Sequence, residues 1–283
     1  MNPALQKKID FAIMLLKSAE KAAESKGQPV EICYSGGKDS DVILELAKMA
    51  GIKYRAIYKN TTIDPPGTIK HVREMGVEMV RPKKSFFSLV ADWGYPNGQR
   101  RFCCKVLKEY KILDYNVVGV RRSESVKRAK RYKEPEQCRV YSDKSKARQY
   151  MPILEWSDED VLEFLQERNV KCAPVYYDKQ GTLQIQRRLG CMACPLKSRE
   201  KRIEDFKTYP NLVKAYIRAG KEFLHTHTHT KTGKRWGNDV YAWFCNELFC
   251  DSRADYELKF GRNLFEEKVD CKHFLEEQFN VKL

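Results

Sequence analysis

Two groups of residues in this 283-residue chain have the types and spacing to do chemistry. The first is Ser35-Gly36-Gly37-Lys38-Asp39-Ser40. Two glycines allow a turn that aims backbone N–H groups inward, Lys38 adds a full positive charge, and Ser35 and Ser40 add hydroxyl donors at the rim. A phosphate or pyrophosphate is the natural guest. The second group is thiols: the adjacent pair Cys103-Cys104, and Cys191-Met192-Ala193-Cys194 followed by Pro195. Four thiolates from two loops could hold a [4Fe–4S] cluster, and tetrahedral zinc asks for the same count. A lone Cys-x-x-Cys could also be a redox dithiol, but this one does not follow a strand in a thioredoxin-like setting. Taken alone, Cys103-Cys104 could be two small hydrophobes.

These residues need elements to position them. Glu31 to Tyr34 is short, apolar and partly β-branched, and after the glycines Val42, Ile43, Leu46, Ala47, Met49 and Ala50 recur at helical spacing. That predicts a strand, a tight loop and a helix N-terminus whose unpaired N–H groups and dipole favour an anion. Further strands are expected at 53–58, 77–80 and 115–120, with helices at 68–75 and 86–93 between them. Strands alternating with helices argue for a Rossmann-like α/β fold, a parallel sheet with helices on both faces, whose ligands sit at the carboxyl ends of the strands. Ser35 to Ser40, the residues after Tyr58 and Arg121 onwards should therefore meet at one crevice. The stretch 121–149 carries eleven Lys or Arg against four Asp or Glu and reads as a helix followed by a mobile basic loop. Ser157, with Asp158, Glu159 and Asp160 behind it, looks like the N-cap of a helix to about Arg168. Beyond Cys194 the pattern is helical, roughly 199–225, 239–249 and 270–279. The expected organisation is an N-terminal helix over 1–28, a nucleotide-binding domain with the cysteines over 29–198, and a helical region over 199–283.

Composition narrows the classes. A net charge of +15 points to a polyanionic partner, DNA or RNA, or to a nucleotide-rich site, with a plain solubility surface as the alternative. No apolar run approaches the roughly 20 residues a membrane span needs. The first residues read as an amphipathic helix rather than a signal peptide, so the expectation is a cytoplasmic protein whose ten cysteines are not disulfides. His225, His227 and His229 alternate and would share one face of a strand, although an exposed loop between helices accounts for them more simply. Trp236, Tyr241, Trp243 and Phe244, near Lys231, Lys234 and Arg235, could stack bases, with core packing of a helix as the plainer account.

The Walker and dinucleotide glycine patterns are absent. What SGGKDS resembles is the PP-loop of ATP pyrophosphatases, the adenine-nucleotide α-hydrolase superfamily, which cleave ATP between the α and β phosphates. The order SGGKDS, Asn60-Thr61-Thr62, RFCCxxLK, Gly119-Val120-Arg121-Arg122-Ser123-Glu124-Ser125, Trp156-Ser157-Asp158-Glu159-Asp160-Val161 and Pro174-Val175-Tyr176-Tyr177-Asp178 before Cys191-x-x-Cys194-Pro195 resembles the phosphoadenosine phosphosulfate (PAPS) reductase family. It spans about 60 per cent of the chain. The resemblance implies an adenine nucleotide, ATP or a sulfonucleotide (PAPS or APS), held by Ser35 to Ser40, Asn60, Arg121, Arg122 and Glu124. It implies Lys38, Asp39 and Arg121 as the catalytic groups, Mg²⁺ on Asp39, and Cys103, Cys104, Cys191 and Cys194 as ligands of a [4Fe–4S] cluster, with Cys138 and Cys172 in reserve. Arg121 is expected to fork onto phosphate oxygens, with Glu124 orienting it or binding metal; a salt bridge at a helix start is the plainer alternative.

Two departures bear on activity. The reductases carry a nucleophilic cysteine in a C-terminal Glu-Cys-Gly-Leu-His tail, whereas this sequence closes on HFLEEQFNVKL, with Cys245, Cys250 and Cys271 as its late thiols. The loop spelling is also that of the ATP-cleaving enzymes. Both favour an enzyme in which ATP adenylates an acceptor, nucleic acid included, pyrophosphate leaves, and sulfur from a donor protein displaces AMP. The alternatives are a sulfonucleotide reductase releasing sulfite through Cys245 or Cys250, and a non-catalytic nucleic-acid-binding subunit.

Overall fold

A computed structural model describes residues 2–110, 112–142, 145–261 and 267–283. In chain order the elements are α1 (Pro3–Glu24), β1 (Val30–Tyr34), α2 (Lys38–Ala50), β2 (Tyr54–Lys59), α3 (Thr68–Glu74), β3 (Glu78–Val80), α4 (Phe86–Trp93), α5 (Phe102–Leu107), β4 (Tyr115–Val117), α6 (Val126–Arg131), β5 (Glu136–Ser142), β6 (Ser145–Tyr150) and α7 (Asp158–Glu167). The remainder is helical: α8 (Arg199–Thr208), α9 (Pro210–Thr226), α10 (Lys231–Trp236), α11 (Val240–Phe249), α12 (Arg253–Phe260) and α13 (Cys271–Phe279).

The strands form a six-stranded sheet in the order β3-β2-β1-β4-β6-β5. Every pairing is parallel except β5 with β6, which is antiparallel. This is the expected Rossmann-like α/β architecture. The chain divides into two compact units. The first comprises Met1–Asn60, Asp64–Pro82 and Lys108–Gly190; the second comprises Thr61–Ile63, Lys83–Leu107 and Cys191–Leu283. The division therefore does not run at 28/29 and 198/199. Cys103, Cys104, Cys191 and Cys194 go with the C-terminal helices, whereas Cys138 and Cys172 go with the sheet.

Each unit has its own core. In the first, the apolar stripe of α1 (Leu5, Ile9, Ala12, Leu16, Ala19) meets that of α2 (Val42, Ile43, Leu46, Ala47) over Val30, Ile32 and Val117 of the sheet. Ser157 caps α7 as its sequence requires, accepting from the Asp160 N–H at 3.2 Å while Asp160 accepts from the Ser157 N–H at 2.7 Å. In the second, α9 is amphipathic and lays Val213, Tyr216, Ile217 and Phe223 against α4 and α11.

Three expectations change in detail. The basic stretch 121–149 is not a mobile loop after its helix, because it builds the β5–β6 edge hairpin. The helix expected over 199–225 is two helices, interrupted at Tyr209, because Pro210 starts a new one and cannot donate into the old. The three histidines share no strand: His225 lies in the last turn of α9 and His227 follows its end. All ten cysteines are free thiols. Among the described residues, no helix is long and apolar enough to cross a membrane.

Candidate nucleotide and thiol sites

The loop after β1 is built as its composition requires. Gly36 has φ +76°, a conformation that a side chain would strain, and Gly37 is the N-cap residue of α2 with no side-chain cap. With no cap, the first-turn N–H groups of α2 are not taken by its own N-cap side chain. Ser40 Oγ braces the turn, donating to the Gly37 carbonyl at 2.7 Å and standing 3.2 Å from Ser35 Oγ. The loops expected to share the crevice do so within the first unit. Asn60 follows β2, which pairs with β1 up to Tyr34↔Tyr58. The loop after β4 comes closer still: a Cβ on Gly119 would stand 2.8 Å from the Asp39 carbonyl oxygen, so any side chain there would push the two loops apart.

Arg121 is where the geometry departs most from the expected fork onto phosphate. Its side chain is 1% exposed and already engaged by protein. Nε donates to Asp39 Oδ1 at 2.7 Å, Nη2 to Asp158 Oδ1 at 2.7 Å, and Nη1 to Ser123 Oγ at 2.9 Å. Burial works against its charge, but the two carboxylates outweigh it and raise its pKa. Arg121 thus fixes the carboxylate of Asp39 relative to the loop. Arg122 turns elsewhere, donating to the Tyr132 carbonyl at 2.8 Å and pairing with Glu155. Glu124 accepts from the Arg121 N–H at 3.3 Å and pairs with Arg128.

Lys38 is 3% exposed. Its Nζ stands 3.6 Å from Asp39 Oδ2, donates to the Arg187 carbonyl at 3.4 Å and lies 5.3 Å from the centre of the Tyr176 ring. The Tyr176 hydroxyl accepts from the Leu189 N–H at 3.1 Å and sits 3.2 Å from where a Gly37 Cβ would be. Burial pushes its pKa up, so it remains a neutral phenol. Tyr176 and the backbone at 187–189 therefore cover the loop, and a phosphate reaching Lys38 must displace them. Neither was assigned a role from sequence, and neither was Asp158. Tyr176 does stand in the Pro-Val-Tyr-Tyr-Asp stretch, but its place against the glycines is a tertiary fact.

Behind α2, Asp41 is fully buried with His71 Nε2 at 2.9 Å from Oδ1 and the Tyr34 hydroxyl donating to the same oxygen. Desolvation raises the pKa of Asp41 against the pull of His71.

The four cysteines expected as ligands, among the seven of the second unit, sit on two segments. Cys103 and Cys104 lie in α5, and the Cys191–Cys194 turn has Ala193 at φ +49°. That turn is pinned by Ala193 N–H donating to Asp205 Oδ2 at 2.7 Å and Met192 N–H donating to the Ile63 carbonyl at 2.9 Å. Cys103 is hydrogen-bonded to Cys104, which together with burial raises its pKa, and Cys191 adds to this. The buried Tyr216 phenol feels Cys103, Cys194 and Cys191 alike. Among the described residues, no group of three or more His, Cys, Asp or Glu side chains is arranged to hold a metal, so closing a cage requires the thiols to turn inward. The donor chemistry nevertheless fits a negatively charged thiolate centre. Arg202 is half-buried near Tyr216, Glu247 and Cys194, burial lowers its pKa, and its Nε has no hydrogen-bond partner among the described residues. The remaining thiols are placed differently. Cys172 is buried against Asp41, which after desolvation raises its pKa further; Cys138 is exposed on β5. Cys245 is buried beside Cys271, and Cys250 is pushed up to about 11 by burial.

A glycine loop between a parallel strand and a helix, with a lysine and a carboxylate at the helix start, defines a PP-loop protein. Residues 29–197 match the phosphoadenosine phosphosulfate reductase domain, and the chain belongs to that family. An uncharacterized protein of Methanocaldococcus jannaschii is 26% identical over 226 residues, covering 75% of this chain and 52% of its own length. A tRNA-cytidine(32) 2-sulfurtransferase of Pseudomonas putida is 39% identical over 75 residues, covering 23% of this chain and 27% of its own length. The chain thus spans about half, or less, of the length of these curated relatives. Among solved structures, the PAPS reductase of Candida auris covers 68% of this chain and 96% of its own at 14% identity and TM-score 0.45. The U34-tRNA thiolase NcsA of Methanococcus maripaludis, solved with its [4Fe–4S] cluster, covers 95% of this chain and 91% of its own at 14% identity and TM-score 0.36.

Proposed function

We propose that this chain is a nucleotide-dependent sulfurtransferase that adenylates an RNA acceptor and releases pyrophosphate. An acceptor carbonyl oxygen attacks the α-phosphorus of ATP, and the bond to the bridging oxygen of pyrophosphate breaks. A sulfur nucleophile from a donor then attacks the activated carbon, and AMP leaves with the former carbonyl oxygen. The loop N–H groups, Ser35, Ser40 and Lys38 bind the phosphates and stabilise the charge that develops on the departing pyrophosphate. Asp39, held by Arg121, is the carboxylate for Mg²⁺, and Asn60 borders the same crevice. Cys103, Cys104, Cys191 and Cys194 would hold a [4Fe–4S] cluster. Bound by all four thiolates, one to each iron, that cluster would supply structural support and a redox centre beside the turn. Arg202 offsets the negative charge of its thiolates.

The single observation that carries this reading is the SGGKDS loop folded with its helix start uncapped and Asp39 locked by Arg121. The net charge of +15 and the local identity to tRNA sulfurtransferases support an RNA acceptor. A sulfonucleotide reductase would need an accessible, ionisable thiol; Cys245 is fully buried and burial pushes the Cys250 thiol up to about 11, which favours the sulfurtransferase. The test is an anaerobic preparation supplied with ATP, tRNA and a sulfide source, scored for pyrophosphate, against the same protein supplied with PAPS or APS and a thiol, scored for sulfite. Lys38-dependent pyrophosphate release supports the sulfurtransferase. Sulfite supports the reductase.

A further inference from the structure

The second unit carries an open groove of about 430 Å³ that belongs to neither the glycine loop nor the thiols. Trp93 ends α4 beside Gly94, which turns the chain at φ +77°, and the indole is 43% exposed. It meets Phe102 in a T-shaped pair at 5.1 Å and 89°, which fixes the orientation of the indole. Across the same groove His227 lies flat on the buried Phe223, 4.3 Å away and 11° from parallel. Its Nδ1 is tethered 3.1 Å from the Phe223 carbonyl. The cations at the groove are Arg100 and Lys231. Arg100 is fixed in place, Nη2 donating to the Trp93 carbonyl at 2.5 Å. The groove's acid, Asp92, is neutralised by Lys84 at 2.6 Å.

We infer that this groove stacks an unpaired base of the RNA acceptor, an inference that rests on the function proposed above. Aromatic faces held by their neighbours, with cations beside them and the acid paired off, match a single strand: π-faces for the bases and positive charge for the phosphates. An acidic or apolar peptide would use the charge or the rings, but not both together. Phe102 directly precedes Cys103-Cys104 in α5, so a strand seated there is anchored on the helix that bears two of the thiols. Of the aromatic residues singled out from sequence, Trp236, Trp243 and Phe244 are core and the half-buried Tyr241 pairs with Lys221, so none lines this groove.

Fluorescence gives a direct readout, because Trp156, Trp236 and Trp243 are buried and Trp93 is the exposed tryptophan of the four. The full chain is titrated with an oligonucleotide of about 12 nucleotides, as single-stranded RNA and as the matching DNA. The expected result is quenching of the native chain on RNA binding and, read for every variant by the anisotropy of an end-labelled oligonucleotide, about tenfold weaker binding by Trp93→Ala. Trp93→Phe should stay within about threefold of the native affinity, because the ring is kept. The unfolding midpoint of each variant reports that it folds. Lys231→Gln should lower the slope of log K against log salt by about 1, while Trp93→Ala leaves that slope alone. Native-like RNA affinity in a folded Trp93→Ala overturns the stacking site and leaves the acceptor reading standing. Failure of the native chain to bind RNA even at low salt overturns both. Tighter binding of the DNA strand overturns the assignment to RNA.

Discussion

The glycine loop of the first unit and the cysteine turn of the second are both short loops ahead of a helix, but they are held in opposite ways. Around the loop the polar groups pair with protein: Arg121 spans Asp39 and Asp158, Ser40 braces Gly37, and Lys38 rests on Tyr176 and Arg187. Around the cysteines the backbone is pinned by Asp205 and Ile63, but the thiols form no metal-holding group among the described residues and Arg202 Nε is left without a partner. The first site is organised by side-chain geometry before any ligand arrives. The second has a pinned backbone around thiols that form no closed ligand set among the described residues.

Substitutions at the glycine loop should therefore have large effects of two separable kinds. Lys38→Ala removes the charge facing the pyrophosphate and should cut the rate of its release about 10²- to 10³-fold with little change in unfolding midpoint. If turnover survives within a few-fold, Lys38 is only a packing residue on Tyr176. Arg121→Ala strips a buried cation from two carboxylates and should cost about 3 kcal/mol, seen as a lower urea midpoint with an unchanged slope. A loss of activity with full stability would instead return Arg121 to direct contact with phosphate.

The cysteine turn should respond through what it binds. Cys191→Ser in an anaerobic preparation should lose bound iron and visible colour. A colourless native protein with stoichiometric zinc would exclude the iron–sulfur reading. Gly119→Ala drives a Cβ toward the Asp39 carbonyl, where backbone cannot yield as a flexible side chain would. It should destabilise by about 1–3 kcal/mol and lower pyrophosphate release as well. Free accommodation would show that the two loops are less closely apposed than their geometry requires.

The smallest effect concerns pH. Burial raises the pKa of Asp41 in the folded chain above its unfolded value. Between those two values the folded state binds more protons, so the stability Asp41 contributes is complete below the unfolded pKa. It falls as pH rises through the folded one. Asp41→Asn should flatten that decline, measured as unfolding midpoint against pH from the acid side to neutrality. An unchanged slope would assign the decline to other groups.

How much of this was legible in the sequence follows from the range of each interaction. The β1–loop–α2 unit was readable because its glycines, lysine and apolar spacing are consecutive, and the α7 start because its cap lies within four residues. The β5–β6 hairpin was not, because β5 at the sheet edge and β6 beside it are rich in polar and charged residues and lack a clean apolar alternation. The Arg121–Asp39 and Arg121–Asp158 pairs span 82 and 37 residues, and no local pattern announces them. Tyr176 over Gly37 is likewise visible only once α7 and the turn behind it are folded. The membership of the four cysteines in one unit was hidden for the same reason, since 87 residues separate Cys104 from Cys191 and the intervening chain belongs to the other unit up to Gly190.

The most direct test of the central claim is pyrophosphate release by the anaerobically prepared chain given ATP, tRNA and sulfide, in parallel with Lys38→Ala. The account predicts tRNA-stimulated pyrophosphate together with sulfur incorporated into the tRNA, both lost in the variant. Sulfite from PAPS or APS with no pyrophosphate from ATP would contradict it.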